Sequence, residues 1–372
     1  MSKIHLEYLW LDGSYPQQIR SKTKIINSEK NKKNRDELYE KSKKDLSILH
    51  IWNFDGSSTG QATTDKSELL LKPVNVFLDP FKYNGVLVLC EVYNTDMTPH
   101  ESNTRHTLVK TASEKDQDTR YGFEMEYFIF DKNTKKPVGW PEAAGSFPAK
   151  QGDYYCGVGT NDGRELVDEH TSICENIGLE ISGVNAEVCL GQWEYQIGPV
   201  PAIDGSDQLW ISRYILQRLA EDHNYYINFD PKPYPGNEWN GSGMHVNMST
   251  AKMRKDLKNK YNLVVEACKK LALKHVEHIE VYGIHNELRL TGANETCGIN
   301  QFRYGVGDRT ASIRIPSSIH DKTTPGYLED RRPASNGDPY EICNILIETI
   351  CGKEKTTYGK PLKKISNEKI ES

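Results

Sequence analysis

The sequence predicts an α+β protein of two domains, a strand-rich N-terminal part followed by a larger part that mixes strands with long helices. Three observations carry this reading. A length of 372 residues exceeds what one ordinary hydrophobic core fills. Short apolar and alternating runs dominate the chain up to a break at Met97-Thr98-Pro99. Helical periodicity takes over beyond that break, which places the boundary near Thr98–Asn103 and divides the chain into residues 1–100 and 101–372.

Within the first part, His5–Leu11 mixes aromatic and aliphatic residues before an Asp12-Gly13 turn and reads as a strand. Ser28–Lys44 is dense in charges of both signs, the pattern of a solvated loop or an exposed helix face. Gly85–Val92 is a nearly continuous apolar run and reads as a buried strand. In the second part Tyr121–Phe130 alternates with a period of two. Val184–Ile197 reads as two strands around Leu190-Gly191, and a two-residue loop there pairs Cys189 with Gln192 and hence Glu187 with Glu194. Leucine avoids positive φ, so this connection fits a type II turn or a bulged loop better than type I′.

Asp207–His223 repeats Trp210, Ile211, Tyr214, Ile215 and Leu219 at helical spacing. A second helix follows Lys260, with Tyr261, Val264, Val265, Cys268, Leu271 and Ala272 as its apolar stripe. Asn240–Thr250 carries Val246 and Met248 in strand alternation, and the Lys-rich stretch Lys353–Ser372 reads as a poorly ordered end.

An apolar fraction of 37% and a charged fraction of 27% describe a globular chain able to bury a substantial core. The net charge of -5 provides no broad basic field, so nucleic acid and anionic membrane are excluded as expected partners in favour of a small-molecule substrate. No run approaches the ~20 apolar residues of a membrane span, and no apolar signal core follows basic residues at the start, so the expected location is the cytoplasm. Eight cysteines without a C-x-x-C pair read as reduced, mostly buried thiols.

The carboxylates hold the chemical information. Strand alternation puts Glu124 and Glu126 on one face of Tyr121–Phe130, together with Phe128 and Phe130, which marks that face as buried. Glu187 and Glu194 add a second pair of acids. Like charges packed together in a ladder and withdrawn from water need a cation or raised pKa values. The competing reading gives each glutamate its own arginine. His245, next to Gly241 and Gly243, is either a nitrogen ligand on a strand or a satisfied structural histidine. His275-x-x-His278 lies on a helix without a third ligand nearby and reads as solvated or capping.

No G-x-x-x-x-G-K-[ST] loop exists, and Gly157, Gly159 and Gly163 lack dinucleotide spacing. Instead, Arg289, Arg303, Arg309, Arg314, Arg331 and Arg332 gather in the last third, and guanidinium groups suit carboxylate and phosphate oxygens. Buried glutamates with converging arginines fit metal-assisted phosphoryl transfer.

The segments GFEMEY, NAEV…GQWEYQIGP, NGSGMHVN, RTASIRIP and GYLEDRRPASNGDPY, in this order, resemble the signature segments of eukaryotic-type glutamine synthetases. WNFDGSSTGQA and LCEVY extend the resemblance, which covers roughly Trp10 to Cys351. It implies a β-grasp N-terminal domain followed by a larger catalytic α/β domain, assembled as a homo-decamer of two pentameric rings with active sites between subunits. The implied reaction is ATP-dependent ligation of ammonia to L-glutamate through γ-glutamyl phosphate.

Residue by residue, the resemblance implies one Mg²⁺ or Mn²⁺ on Glu124, His245 and Glu329, and another on Glu126, Glu187 and Glu194. Arg289 and Arg309 would engage glutamate, Arg309 and Arg314 the nucleotide phosphates, and Arg331 the substrate and the transferred phosphoryl group. Asn247, Ser249 and Tyr327 would seat ATP, and Trp239 and Gly241 would border the amino acid. Asp55 from a neighbouring N-terminal domain would deprotonate ammonium, and Glu295 would close a flap over the site. The chain departs from the family pattern at Asn294, where histidine is usual, at Glu238 and Asp308, where asparagine is usual, and at Cys189-Leu190, where methionine and proline are usual. Ligation of another amine and a non-catalytic homologue are the alternatives. The retained Asp55 and Glu295 favour ammonia, and the retained metal and phosphate positions oppose a non-catalytic role.

Overall fold

The computed structural model describes residues 3–27, 34–143, 145–148, 152, 154–159, 162–234, 239–293 and 296–352. Glu238, Asn294, Glu295 and the segment Lys353–Ser372 lie outside the described residues.

The N-terminal part contains β1 (Lys3–Leu11), β2 (Ile19–Asn27), α1 (Arg35–Lys44), β3 (Trp52–Asp55), β4 (Glu68–Leu78) and β5 (Gly85–Tyr93). Its five-stranded sheet runs β2-β1-β5-β4-β3, with β1 and β5 parallel and the remaining pairs antiparallel. This is the β-grasp arrangement that the resemblance implied. The strands alternate between two cores, which explains why β5 is apolar at almost every position. Ile4, Leu6, Tyr8 and Trp10 join Val86, Val88, Cys90 and Val92 in a core that includes Leu38 of α1. Leu9, Leu87 and Leu89 point the other way, into the core of the second part. Of the charged segment Ser28–Lys44, residues 28–33 lie outside the described residues and the rest forms α1, capped by Asn34, with Leu38 and Ser42 as its buried residues, in line with an exposed helix face.

The second part contains α2 (Thr104–Lys115), β6 (Arg120–Asp131), α3 (Arg164–Asn176), β7 (Ile181–Ala186), β8 (Gln192–Val200), α4 (Ala202–Asp222), β9 (Tyr225–Asn228) and β10 (Met244–Ser249). Then follow α5 (Ala251–Lys255), α6 (Lys260–Leu273), α7 (His275–Val281), β11 (Tyr304–Val306), β12 (Ile313–Ile315), β13 (Leu328–Asp330) and α8 (Pro339–Cys351). The strands form one sheet in the order β11-β12-β13-β10-β6-β8-β7, with β9 pairing the far end of β6. On β6, Tyr121, Phe123, Met125, Tyr127 and Ile129 all turn into the main core, where residues of α4 and α8 also pack. The opposite face of β6 is thereby left to Glu124 and Glu126.

Two local readings need correction. On α6 the inward residues are Val264, Ala267, Cys268 and Leu271, whereas Tyr261 and Ala272 are exposed. The core ends before the first turn of the helix, and Lys260 is buried there instead, its Nζ donating to the carbonyls of Ser318, Asp321 and Thr324. In the β7–β8 hairpin, Asn185 rather than Glu187 stands opposite Glu194, and the Glu187 amide donates to the Gln192 carbonyl at 2.9 Å. The slip arises because Val188 and Cys189 leave the ladder, Cys189 being buried in an aromatic cluster with Phe128, Trp140 and Trp239. A slip of two residues preserves parity, so Glu187 and Glu194 still share a face. The turn closes with Gln192 N donating to Cys189 O at 2.9 Å and places Gly191 at φ +82, the positive-φ position that a type II turn requires.

An ion triad ties the two parts together. Arg105 of α2 donates to Glu91 of β5 at 2.8 Å and to Asp207 of α4 at 2.8 Å, and Asn75 of β4 donates to the same Asp207 at 2.9 Å. Arg105→Ala leaves two buried carboxylates without their shared cation and is expected to destabilise the chain by about 3 kcal/mol. The check is a shift of the urea unfolding midpoint, with Arg105→Lys recovering part of the loss.

Candidate functional site

The site is built by strand pairing. Glu124 and Glu126 project from the polar face of β6; His245 of β10 pairs directly with Glu124, and Glu194 of β8 pairs directly with Glu126. Glu329 of β13 pairs with Asn247 of β10 on one side and with Arg314 of β12 on the other. Adjacent strands thus set these side chains a ladder step apart on one face. Potential ligand atoms of Glu124, His245 and Glu329 lie within 4.8 Å of one another, and so do those of Glu126, Glu187 and Glu194. His245 Nδ1 is 3.5 Å from Glu124 and 3.5 Å from Glu329, and its Nε2 is 3.8 Å from Glu126, so the imidazole stands between the two groups.

Glycine permits the close approach. The Gly243 amide donates to Glu126 Oε2 at 2.7 Å, and a Cβ at Gly243 would stand 2.3 Å from the Arg289 guanidinium and 2.9 Å from His245 Nε2. Arg289 is itself buried and donates to His245 Nε2 at 3.0 Å and to the Arg331 carbonyl at 3.0 Å. The buried guanidinium disfavours a second positive charge beside it, so His245 is neutral. Burial, with Arg331 and Arg289 nearby, holds its pKa well below the ordinary imidazole value.

The acids cannot all ionise in this setting unaided. Burial raises the pKa of Glu126, with the neighbouring Glu124 charge adding to the shift and Arg289 opposing it. Burial and the Glu126 charge push Glu187 up to about 8. Glu194 is driven well above the usual range by burial and then by Glu124, Glu187 and Glu126. Arg314 and Arg331 both reach Glu329, at 2.7 and 2.6 Å. Among the described residues, no arginine forms an ion pair with Glu124, Glu126, Glu187 or Glu194. The arrangement in which each glutamate has its own arginine is therefore not the one observed. The donor set of carboxylates and one neutral imidazole suits a hard or borderline divalent cation.

A cavity of about 210 Å³ opens over this face. Its lining includes Glu124, Glu126, Glu187, Glu194 and His245 together with Arg289, Arg309, Arg314, Arg331 and Gly241. Asn247 lies beside it and donates to Glu124 Oε1 at 2.7 Å. Ser249 is buried with its hydroxyl accepting from Arg254 at 3.1 Å, and Tyr327 is half-buried near Arg314. Trp239 does not reach the cavity wall; its ring packs 4.8 Å from Trp140 and 5.9 Å from Phe147. Asp55 ends the edge strand β3, exposed and outside the cavity of its own chain, its carboxylate accepting from Ser57 N at 2.9 Å and Ser57 Oγ at 2.6 Å.

The remaining arginines separate by strand parity. Arg332 turns to the core with Asp330 at 2.7 Å, and Arg303 is bound on the surface to Thr310. The reading of His275 and His278 as solvated or capping is corrected. His278 is fully buried between the Tyr282 hydroxyl at 2.5 Å and Thr349 Oγ1 at 2.8 Å, and His275 bridges Arg332 at 3.0 Å and the Ile299 carbonyl at 2.8 Å. Packing of α7 against α8 removes His278 from solvent, while His275 at the start of α7 is half-buried and held by its two hydrogen bonds.

The cavity also includes residues that the sequence did not single out: Tyr154, Tyr155, Gln196, Lys232, Asn240 and Thr296. Gln196 had a readable signal, since it shares strand parity with Glu194. The others lie outside the named strands and helices and carried none.

A family model described as the glutamine synthetase catalytic domain matches residues 101–279, and one described as the glutamine synthetase β-grasp domain matches residues 6–95. The chain is 48% identical over 355 residues to a glutamine synthetase of Tuber borchii, covering 94% of this chain and 92% of that one. It is 44% identical over 352 residues to a putative glutamine synthetase of Acanthamoeba polyphaga mimivirus, covering 93% and 94%. It is also 44% identical over 353 residues to the cytosolic isozyme 1-3 of glutamine synthetase from Arabidopsis thaliana, again covering 93% and 94%.

Proposed function

Because the chain belongs to the glutamine synthetase family and joins ammonia to L-glutamate with ATP to give L-glutamine, we propose that the cavity over β6, β8 and β10 is where this reaction runs. The observation that carries the proposal is the pair of ligand groups, Glu124–His245–Glu329 and Glu126–Glu187–Glu194, in one cavity with Arg289, Arg309, Arg314 and Arg331. The enzyme uses divalent metal, and each group would hold one Mg²⁺ or Mn²⁺. When bound, these ions supply the positive charge that offsets the nucleotide phosphates and the charge spread over the transferred group.

The chain's own residues divide the remaining work. Arg309 and Arg314 hold phosphate oxygens, Arg331 follows the phosphoryl group, and Arg289 with Gly241 and Arg309 receives glutamate. Trp239, packed behind the wall, fixes the backbone that leads into Asn240 and Gly241. Asn247, Ser249 and Tyr327 seat ATP. The γ-carboxylate attacks the terminal phosphorus, its bond to ADP breaks, and γ-glutamyl phosphate results. Asp55 then takes a proton from ammonium, and ammonia displaces phosphate at the acyl carbon, with Glu295 closing the site against water. Since Asp55 lies outside its own chain's cavity, the proposal requires a neighbouring copy to supply it, as in a homo-decamer of two pentameric rings. The division into a β-grasp domain at 1–100 and a catalytic domain at 101–372 belongs to the same reading. Among the described residues no helix is long and apolar enough to cross a membrane, and we place the enzyme in the cytoplasm.

The deciding measurement is phosphate release from ATP with glutamate and Mg²⁺, with and without ammonium, while glutamine is followed directly. Ammonium-dependent glutamine formation is the expected result; phosphate release without glutamine would indicate another amine, and no turnover with Mg²⁺ or Mn²⁺ would refute the site.

The raised carboxyl pKa values give a pH signature. Glu187 titrates near 8 and Glu194 also titrates above its usual range, so below those values protons compete with a cation for the same oxygens. Affinity for Mn²⁺ is expected to rise as the pH is raised from about 6 through about 8, with protons released on binding. Calorimetry in two buffers of different ionisation enthalpy checks this; buffer-independent heats would contradict it.

A further inference from the structure

Each of the four glutamates contributed by β6, the β7–β8 hairpin and β8 accepts a hydrogen bond from a side-chain amide. Asn247 Nδ2 donates to Glu124 Oε1 at 2.7 Å, and Gln192 Nε2 donates to Glu126 Oε2 at 3.4 Å and to the Gly241 carbonyl at 3.0 Å. Asn185 Nδ2 donates to Glu187 Oε1 at 3.1 Å, and Gln196 Nε2 donates to Glu194 Oε1 at 2.8 Å. Two of these donors stand two residues from their acceptors along the chain, so strand parity alone keeps donor and acid on the same face. Gln192 reaches Glu126 from the neighbouring strand, and Asn247 reaches Glu124 from β10.

We propose that Asn185, Gln192, Gln196 and Asn247 are positioning residues that set the affinity of the acid cluster for divalent cations, by fixing each carboxylate without neutralising it. The proposal rests on the metal reading above. An amide supplies the N–H that orients a carboxylate and restricts its rotamers, so one oxygen is directed while the negative charge stays available. A lysine or arginine at the same place would orient the acid as well, but its unit charge would repel the incoming cation and satisfy the carboxylate in its stead. The contrast is visible within the site: Glu329 takes two arginines, whereas the four acids on β6, the hairpin and β8 take amides.

Mn²⁺ binding to the purified full chain without nucleotide, followed by calorimetry and by the electron paramagnetic resonance of free Mn²⁺, tests this. Gln196→Leu and Asn185→Leu, which keep approximate volume and remove the donor, are expected to weaken Mn²⁺ binding by about 10- to 100-fold while cooperative thermal unfolding of the metal-free protein persists. Gln196→Lys is expected to bind more weakly than Gln196→Leu, because it restores the donor and adds the charge. Wild-type affinity in both leucine variants, or in the lysine variant, overturns the proposal. Glu194→Ala separates the premises: wild-type Mn²⁺ binding that is indifferent to Glu194→Ala sinks the metal reading and this proposal with it, whereas binding lost in Glu194→Ala and kept in both leucine variants sinks this proposal alone. Should Gln196→Leu fail to fold, Gln196→Met and Asn185→Leu carry the same comparison.

Discussion

Replacement of Glu194 by alanine is expected to abolish ATP-dependent glutamine formation, with turnover falling by about three orders of magnitude or more, while the folded chain loses little stability. Glu194 stands directly opposite Glu126 and shares its ligand group with Glu187, so its removal breaks up the site where three buried acids meet. In the metal-free chain the same carboxyl is under strain from burial and from three neighbouring charges, which is why its pKa lies well above the usual range. Taking it away removes a like-charge contact that opposed folding, and this offsets the small cavity that alanine leaves. The two readouts therefore move in different ways: phosphate release and glutamine formation collapse, and the metal-free melting temperature stays the same or rises. A variant that merely misfolds lowers both. Near-normal turnover in a well-folded Glu194→Ala protein would show that the cluster is not the metal site.

The parts of the site that could be read from sequence are those that depend on strand parity. Glu124 and Glu126 had to share a face because they are two residues apart in an alternating strand, and the apolar partners Phe123 and Met125 had to face the core. Parity also survived the error in the β7–β8 hairpin, since a slip of two residues left Glu187 and Glu194 on the correct side. What alternation could not supply was register. Cys189 is pulled out of the ladder by an aromatic cluster that includes Trp140 and Trp239, residues far apart in sequence.

Long-range burial likewise decided α6, where Lys260 rather than Tyr261 fills the first turn because three loop carbonyls surround its ammonium group. The histidines of α7 were misread for the same reason: H-x-x-H on a helix says nothing about Thr349 of α8, which meets His278, or about Arg332 and Ile299, which meet His275. On β13, alternation puts Glu329 and Arg331 toward the cavity and Asp330 and Arg332 toward the core, so one short strand holds the site on one face and anchors it on the other. Two of the amides beside the acids, Asn185 and Gln196, were legible in principle, being two residues from the acids they bind, but a neutral side chain draws no notice beside four charges.

Asp55→Asn is expected to separate the two chemical steps. The Ser57 hydroxyl and backbone amide grip the Asp55 carboxylate and hold its pKa below the usual value, so the group is charged and fixed in direction although solvent surrounds it. Asparagine retains an oxygen for the Ser57 contacts but cannot accept a proton from ammonium. Glutamine formation should fall by about 10²- to 10⁴-fold. Formation of γ-glutamyl phosphate, trapped with hydroxylamine, should be spared, because that nucleophile is already neutral near pH 7 and needs no base. Equal losses in both assays would remove Asp55 from the role of base. The location of Asp55 adds a stricter test, since the residue lies outside the cavity of its own chain and the mechanism assigns it to a neighbour. Co-expression of Asp55→Asn with Glu194→Ala, each inactive alone, then produces assemblies in which some sites combine an intact Asp55 from one chain with an intact Glu194 from the next. Random mixing of equal amounts restores about a quarter of the sites, and glutamine formation near that level is the expected result. If Asp55 acted within its own chain, every site would carry one lesion or the other, and the mixture would be as inactive as its parents.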